Sequence, residues 1–145
     1  MTGGRSLTNV LIIDDSAAAR ASIASTLRLA GYGVFELSSA IGATRTILRS
    51  NISAVIVDLG MPGLSGDKLV GLLRSNRRLS NLVVIVVSGQ SGEELERISG
   101  ECRVDAILEK RDISSRLVHI LEQLLRSSSG TLLRAKAYPD RAEGE

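Results

Sequence analysis

The sequence predicts an α/β fold, a doubly wound parallel sheet of five strands flanked by five helices. Short apolar runs alternate five times with longer segments whose apolar residues recur every three or four positions. Several of the runs are almost unbroken Val, Ile and Leu, which is typical of strands covered on both faces. Parallel strands need long crossover connections of one hand, and helices supply them. At 145 residues the chain fits one ordinary domain.

Five apolar runs are predicted as strands: 10–13, 34–37, 54–57, 82–87 and 104–108. The first, third and fourth are the most continuously apolar, which predicts central positions in the sheet. The second run contains Glu36, a charged residue that favours an edge strand.

The intervening segments have the period of amphipathic helices. Gly31 can end the first helix as a left-handed cap, Ser91 and Glu94 form a capping box that opens the fourth, and Asp112 is the N-cap of the fifth. The predicted inward-facing residues, in helix order, are Ile23, Leu27 and Ala30; Ala40, Thr44, Ile47 and Leu48; Leu69, Leu72 and Leu73; Leu95 and Ile98; and Ile113, Leu117, Ile120, Leu121 and Leu124.

We predict a flexible N-terminus over 1–8, one folded domain over 9–127, and a flexible tail or linker over 128–145.

Composition and charge narrow the class of protein. The formal net charge is +2 and aromatic residues are few, so direct nucleic-acid binding is not expected. The basic run of Arg74, Arg77 and Arg78 is interpreted as a solvated helix end. No apolar run approaches a membrane span, and the single cysteine, Cys102, suits a reducing cytoplasm.

Polar side chains follow four of the five predicted strands. Asp14 and Asp15 come after the first, Asp58 ends the third, Ser88 follows the fourth, and Lys110 follows the fifth. In open parallel sheets, ligands bind beyond the carboxyl ends of the strands, so these residues should meet at one edge. Three clustered carboxylates repel each other and demand a cation, and hard oxygen ligands suit Mg²⁺. No phosphate-cradling glycine motif is present, so flavin or nucleotide binding is disfavoured.

These strand ends lie in segments that resemble the receiver domains of response regulators in two-component signalling. The resemblance covers residues from about 9 to 127, and its most specific element is the D-x-x-M-P-x-x-x-G pattern that begins at Asp58. It implies a flavodoxin-like sheet with strand order 2-1-3-4-5. The segments that carry it are VLIIDDS from Val10, VIVDLGMPGLSG from Val55, VVSG from Val86 and ILEK from Ile107.

The resemblance implies that Asp58 accepts a phosphoryl group from a sensor histidine kinase or a phosphotransfer protein. Ser88 and Lys110 would contact the phosphoryl oxygens once the group is attached. Such a chain signals to a downstream effector protein, which is unknown here. It is not an enzyme toward other molecules, because it catalyses only its own phosphorylation and dephosphorylation.

The resemblance also implies a magnesium site. Asp15, Asp58 and the backbone carbonyl of Gly60 would bind Mg²⁺ directly, and Asp14 would act mainly through water. A bound Mg²⁺ offsets negative charge during in-line phosphoryl transfer.

Two residues depart from the family pattern. Arg111 follows Lys110 where the family usually has a cis proline, so we predict a trans bond and a shifted loop, because a cis bond before a non-proline residue costs about 2.5–4 kcal/mol. Ile107 stands where an aromatic residue commonly rotates during switching. These departures keep an alternative open, a pseudo-receiver that binds a protein partner without phosphorylation. The chain could also be a fragment of a longer regulator.

Overall fold

The computed structural model of the protein describes residues 7–60, 66–89 and 104–130. Within these residues the strands are β1 (Asn9–Ile13), β2 (Gly33–Leu37), β3 (Ile52–Asp58), β4 (Val83–Ser88) and β5 (Ala106–Glu109). The helices are α1 (Ala17–Leu29), α2 (Ala43–Arg49), α3 (Gly66–Arg74) and α4 (Ile113–Gly130). Two short 3-10 helices, Arg77–Leu79 and Lys110–Asp112, precede β4 and α4.

The five strands form one sheet in the order β2-β1-β3-β4-β5, and every neighbouring pair is parallel. This confirms the predicted fold class, the strand order and the edge position of β2. Each predicted strand is present, with bounds that differ by one or two residues. The largest differences are at two strand starts: β3 begins at Ile52 where the sequence predicted residue 54, and β5 begins at Ala106 where it predicted residue 104.

Alternate strand residues point to opposite faces of the sheet, and each face has its own apolar layer. Val10 and Ile12 pack with residues of α1 and α4 on one face. Leu11 and Ile13 pack with residues of α2 and α3 on the other. The strands are therefore fixed between two helical layers, and their carboxyl ends share one edge of the sheet.

The predicted helix faces are correct at most of the described positions and wrong at three. Ala30 is exposed because α1 has ended before it, and Ala24 is buried on that helix instead. Ala40 precedes α2 but packs against the apolar layer as predicted, whereas Thr44 is exposed on the helix. Leu72 is 57% exposed because a helix turns about 100° per residue, which directs its buried neighbour Leu73 inward and Leu72 outward.

The helix ends agree in part with their predicted caps. Gly31 has a φ of +96°, so the predicted left-handed cap after α1 is confirmed. All five predicted inward-facing residues of the last helix are buried. That helix continues through the serine run to Gly130, three residues beyond the predicted end of the folded domain at 127. The predicted fourth helix with Ser91 and Glu94, and also Cys102, lie outside the described residues.

Arg74 corrects the interpretation of the basic run. Its side chain is largely buried, and its guanidinium donates to Asp105 Oδ2 at 2.8 Å and to the carbonyl of Leu82 at 2.9 Å. The carboxylate of Asp105 also accepts a hydrogen bond from the amide of Val84. Arg74 therefore joins α3 to β4 and to the start of β5, whereas Arg77 and Arg78 are exposed as predicted.

None of the helices in the described parts of the chain has the length and apolar character needed to cross a bilayer.

Candidate functional site

The strand register places the predicted site residues at one edge of the sheet. Ile13 pairs with Val57, so the next residues along the two strands, Asp14 and Asp58, are neighbours. Ser88 pairs with Glu109, so Ser88 lies one residue before the level of Lys110. The structure thus brings together the ends of β1, β3, β4 and β5, as the sequence predicted.

Asp14 is fully buried and is held by its own loop. Its Oδ1 atom accepts a hydrogen bond of 2.9 Å from the amide of Ser16. Its Oδ2 atom lies 3.2 Å from Lys110 Nζ, an ion-pair distance, but accepts no well-oriented hydrogen bond from the described residues. A buried carboxylate oxygen in this state has unused capacity to accept a hydrogen bond, and a cation-bound water could supply one.

Asp58 is also buried, 5% exposed, at the last position of β3. Its Oδ1 atom accepts a hydrogen bond of 3.1 Å from the amide of Gly60 and lies 3.5 Å from Lys110 Nζ. Burial raises the pKa of the Asp58 carboxyl, and the nearby Asp14 charge adds to the rise, while the Gly60 amide and the Lys110 charge oppose it. The ionised form of Asp58 is therefore destabilised here, and added positive charge would restore it.

Lys110 is the first residue of the 3-10 helix that follows β5, and its side chain is one-third exposed. Burial by itself lowers the pKa of the Lys110 ammonium, but the charges of Asp58 and Asp14 outweigh burial, and the pKa is raised overall. Lys110 is therefore a stable cation between two carboxylates.

Three carboxylates meet at this edge. One oxygen each of Asp14, Asp15 and Asp58 lies within 4.8 Å of the others, and Asp15 is the exposed member of the three. This spacing, the all-oxygen donor set and the unsatisfied Oδ2 atom of Asp14 fit a hard divalent cation such as Mg²⁺.

Two further predicted site residues are less closely defined. Gly60 contacts Asp58 through its amide, and the predicted metal-binding role of its carbonyl stays a prediction. Ser88 is buried at the end of β4. The Met61-Pro62 part of the motif lies outside the described residues.

The two departures from the family pattern have definite structures. The bond between Lys110 and Arg111 is trans, as predicted, and the backbone continues directly into the 3-10 helix Lys110–Asp112. Arg111 extends into solvent, where its guanidinium pairs with Glu109 at 2.8 Å. Ile107 is partly buried against the apolar layer that includes Val86.

Sequence reasoning missed Arg20. Its guanidinium donates a hydrogen bond of 2.6 Å to the backbone carbonyl of Asp14. The available signal was a long cationic side chain in the first turns of the helix that directly follows the acidic pair.

The fold and this edge define a class of protein, the doubly wound α/β domain with an acidic, lysine-containing site at its strand ends. Residues 10–122 match the family model described as the response regulator receiver domain. The chain belongs to this receiver family of two-component signalling.

Individual relatives agree with this assignment. The transcriptional regulatory protein PrrA of Mycobacterium leprae is 33% identical over 132 residues, which cover 90% of this chain and 55% of PrrA. The response regulator protein FleR of Pseudomonas aeruginosa is 35% identical over 79 residues, which cover 54% of this chain and 16% of FleR. The chain thus spans about half, or less, of these relatives.

The fold has close structural neighbours. The solved structure of chemotaxis protein CheY4 of Vibrio cholerae superposes with a TM-score of 0.75 at 21% identity, covering 82% of this chain and 99% of that one. At this identity the likeness shows the fold alone.

Proposed function

We propose that Asp58 accepts a phosphoryl group from the phosphohistidine of a sensor histidine kinase or a phosphotransfer protein. The observation that carries this proposal is the position of Asp58, a buried carboxylate at a strand end with Asp14, Asp15 and Lys110 around it. Burial raises the pKa of the Asp58 carboxyl, so a site that recruits positive charge favours the ionised, nucleophilic form of Asp58.

The proposed reaction is an in-line displacement at phosphorus. A carboxylate oxygen of Asp58 forms the new P–O bond while the P–N bond of the phosphohistidine breaks, and its electron pair stays on the imidazole nitrogen. Lys110 is already 3.5 Å from Asp58 Oδ1, so its ammonium can reach an oxygen of a phosphoryl group attached there. The product is an acyl phosphate on Asp58.

The acidic cluster supports a Mg²⁺ requirement. In this proposal Asp15, Asp58 and the Gly60 carbonyl are direct ligands, and Asp14 acts through water. The water-mediated role suits Asp14 because its Oδ1 atom is bound to the Ser16 amide and its Oδ2 atom faces Lys110. The bound ion supplies positive charge beside the transferring phosphoryl group.

Phosphorylation would then act as a switch. An attached phosphoryl group brings about −1.5 to −2 charge, which favours a loop arrangement that brings Ser88 and Lys110 toward it. A change from a 1:99 to a 99:1 population requires about 5.5 kcal/mol of preference for the active arrangement, which a few charge-assisted hydrogen bonds can supply.

The cellular role follows from this chemistry. We propose a cytoplasmic signalling module over residues 9–127 that modifies only itself and passes its state to an effector protein, without binding nucleic acid or membrane directly. The proposal therefore implies two protein partners. One carries the phosphohistidine that donates the phosphoryl group, and the other is an effector whose binding depends on whether Asp58 is phosphorylated.

Beryllofluoride binding tests the proposal and separates it from the pseudo-receiver alternative. Fluorine NMR of the chain with Mg²⁺ and beryllofluoride should show a bound species that is absent without Mg²⁺. The Asp58→Asn variant should show no bound species, whereas Asp112→Asn, the same change at a carboxylate that is not one of the three clustered ones, should behave like the wild type. Lack of binding by the wild type would favour the pseudo-receiver.

A further inference from the structure

Arg20 links three parts of the molecule next to the acidic site. It lies on α1, its Nη1 atom donates 2.6 Å to the carbonyl of Asp14, and its Nε atom lies 3.4 Å from Oε1 of Glu36 on the edge strand β2. The Arg20 side chain is only 18% exposed. A guanidinium offers several donors in one rigid plane, so it can hold a carbonyl and a carboxylate at the same time.

The carbonyl that Arg20 holds belongs to the peptide unit that joins Asp14 to Asp15. A peptide unit is planar, so fixing the carbonyl oxygen of Asp14 also fixes the amide and Cα of Asp15. The amide of Asp14 donates to the carbonyl of Leu37 at 3.2 Å, so the preceding peptide unit is held as well. The backbone that carries the exposed Asp15 carboxylate is therefore set by Arg20, while the neighbouring Asp14 side chain is set by Ser16.

Glu36 limits the electrostatic cost of placing a guanidinium near a cation site. It pairs with Arg20 and, at 3.7 Å, with Arg28. The positive charge of Arg20 is thus offset by the carboxylate of Glu36, a residue of β2. Arg28 shares this partner and is 57% exposed, and among the described residues it makes no hydrogen bond or ion pair with Asp14.

We infer that Arg20 is a positioning residue for divalent-cation binding: anchored by Glu36, it orients the Asp14–Asp15 peptide so that the Asp15 carboxylate faces the other two. The inference rests on the proposed function, because it concerns the cation of that site. Removing a group that orients a metal ligand without binding the metal itself commonly weakens metal affinity by about 10–100-fold.

Mn²⁺ binding to the full chain tests this inference, with unbound Mn²⁺ followed by electron paramagnetic resonance. We expect Arg20→Met to weaken the Mn²⁺ affinity by about tenfold or more. Arg28→Met, which removes the same charge beside the same glutamate, should stay within about twofold of the wild type. Arg20→Lys should be intermediate, because an ammonium cannot reproduce the rigid two-way contact.

The outcomes are distinct. A general loss of stability would lower the urea midpoint of unfolding in cation-free buffer but would leave the affinity of the folded fraction unchanged. A folded Arg20→Met protein with wild-type Mn²⁺ affinity, or an equal loss in Arg28→Met, would overturn the inference. If Arg20→Met does not fold, the Mn²⁺ affinities of Arg20→Lys and Glu36→Gln test the inference instead. Wild-type Mn²⁺ affinity in both of these variants would overturn it. Failure of the wild type to bind Mn²⁺ would overturn the proposed cation site as well.

Discussion

The ammonium of Lys110 lies 3.2 Å from Asp14 Oδ2, a buried carboxylate oxygen that accepts no well-oriented hydrogen bond from the described residues. The same ammonium is 3.5 Å from Asp58 Oδ1. One cation from the end of β5 therefore partly neutralises carboxylates from the ends of β1 and β3.

This relationship predicts opposite effects of Lys110→Ala on cation binding and on phosphorylation. Mg²⁺ affinity should rise by about tenfold, or about 1.4 kcal/mol, because a competing positive charge is removed. The rate of labelling by acetyl phosphate should fall by about 100-fold, because one donor to the developing phosphoryl charge is lost. Titration calorimetry and a labelling time course measure the two effects, with the exposed Arg111→Ala as control. An unchanged labelling rate would mean that Lys110 is only a strand-end charge.

The ion pair of Arg74 and Asp105 predicts a large effect on the free energy of unfolding. Asp105→Ala should lower the free energy of unfolding by about 3–5 kcal/mol, because it leaves the largely buried guanidinium without its carboxylate. Urea denaturation measures this change. The double variant Arg74→Met, Asp105→Leu should recover part of the loss. A cost below about 1 kcal/mol for Asp105→Ala would contradict a buried pair and match a surface one.

Tyr32 predicts a pH effect on stability at the alkaline end. Burial raises the pKa of its phenol, Glu122 adds to the rise, and Arg126 opposes it. The folded state thus keeps its proton at pH values where the unfolded chain has begun to lose it, so stability falls as pH rises above the unfolded value of about 10. The fall ends once the pH exceeds the folded pKa. Urea midpoints between pH 9 and 11 should decline less in Tyr32→Phe, and identical slopes would contradict the shift.

Much of the fold was predictable because the pattern that sets it is local. Continuous runs such as the one from Val10 can be buried only if both faces of the sheet are covered, and the alternation with helices then requires parallel pairing. The order of the strands came from the resemblance and not from periodicity. Ala30 and Leu72 were assigned wrongly because helix ends and exact facing depend on tertiary packing.

The candidate site was predictable for a related reason. Parallel strands present their carboxyl ends at one edge, so the residues after each apolar run, including Asp58 and Lys110, had to be close. Arg20 and Arg74 could not be assigned in this way, because each reaches across elements to a backbone carbonyl, and such contacts depend on the packing of helices against the sheet.

The most direct test of the account is intact-mass measurement after incubation with acetyl phosphate, with and without Mg²⁺. The wild type should gain the mass of one phosphoryl group only when Mg²⁺ is present, and Asp58→Asn should gain none. Undiminished labelling of Asp58→Asn, or no labelling of the wild type under any of these conditions, would contradict the assignment of Asp58 as the phosphoacceptor.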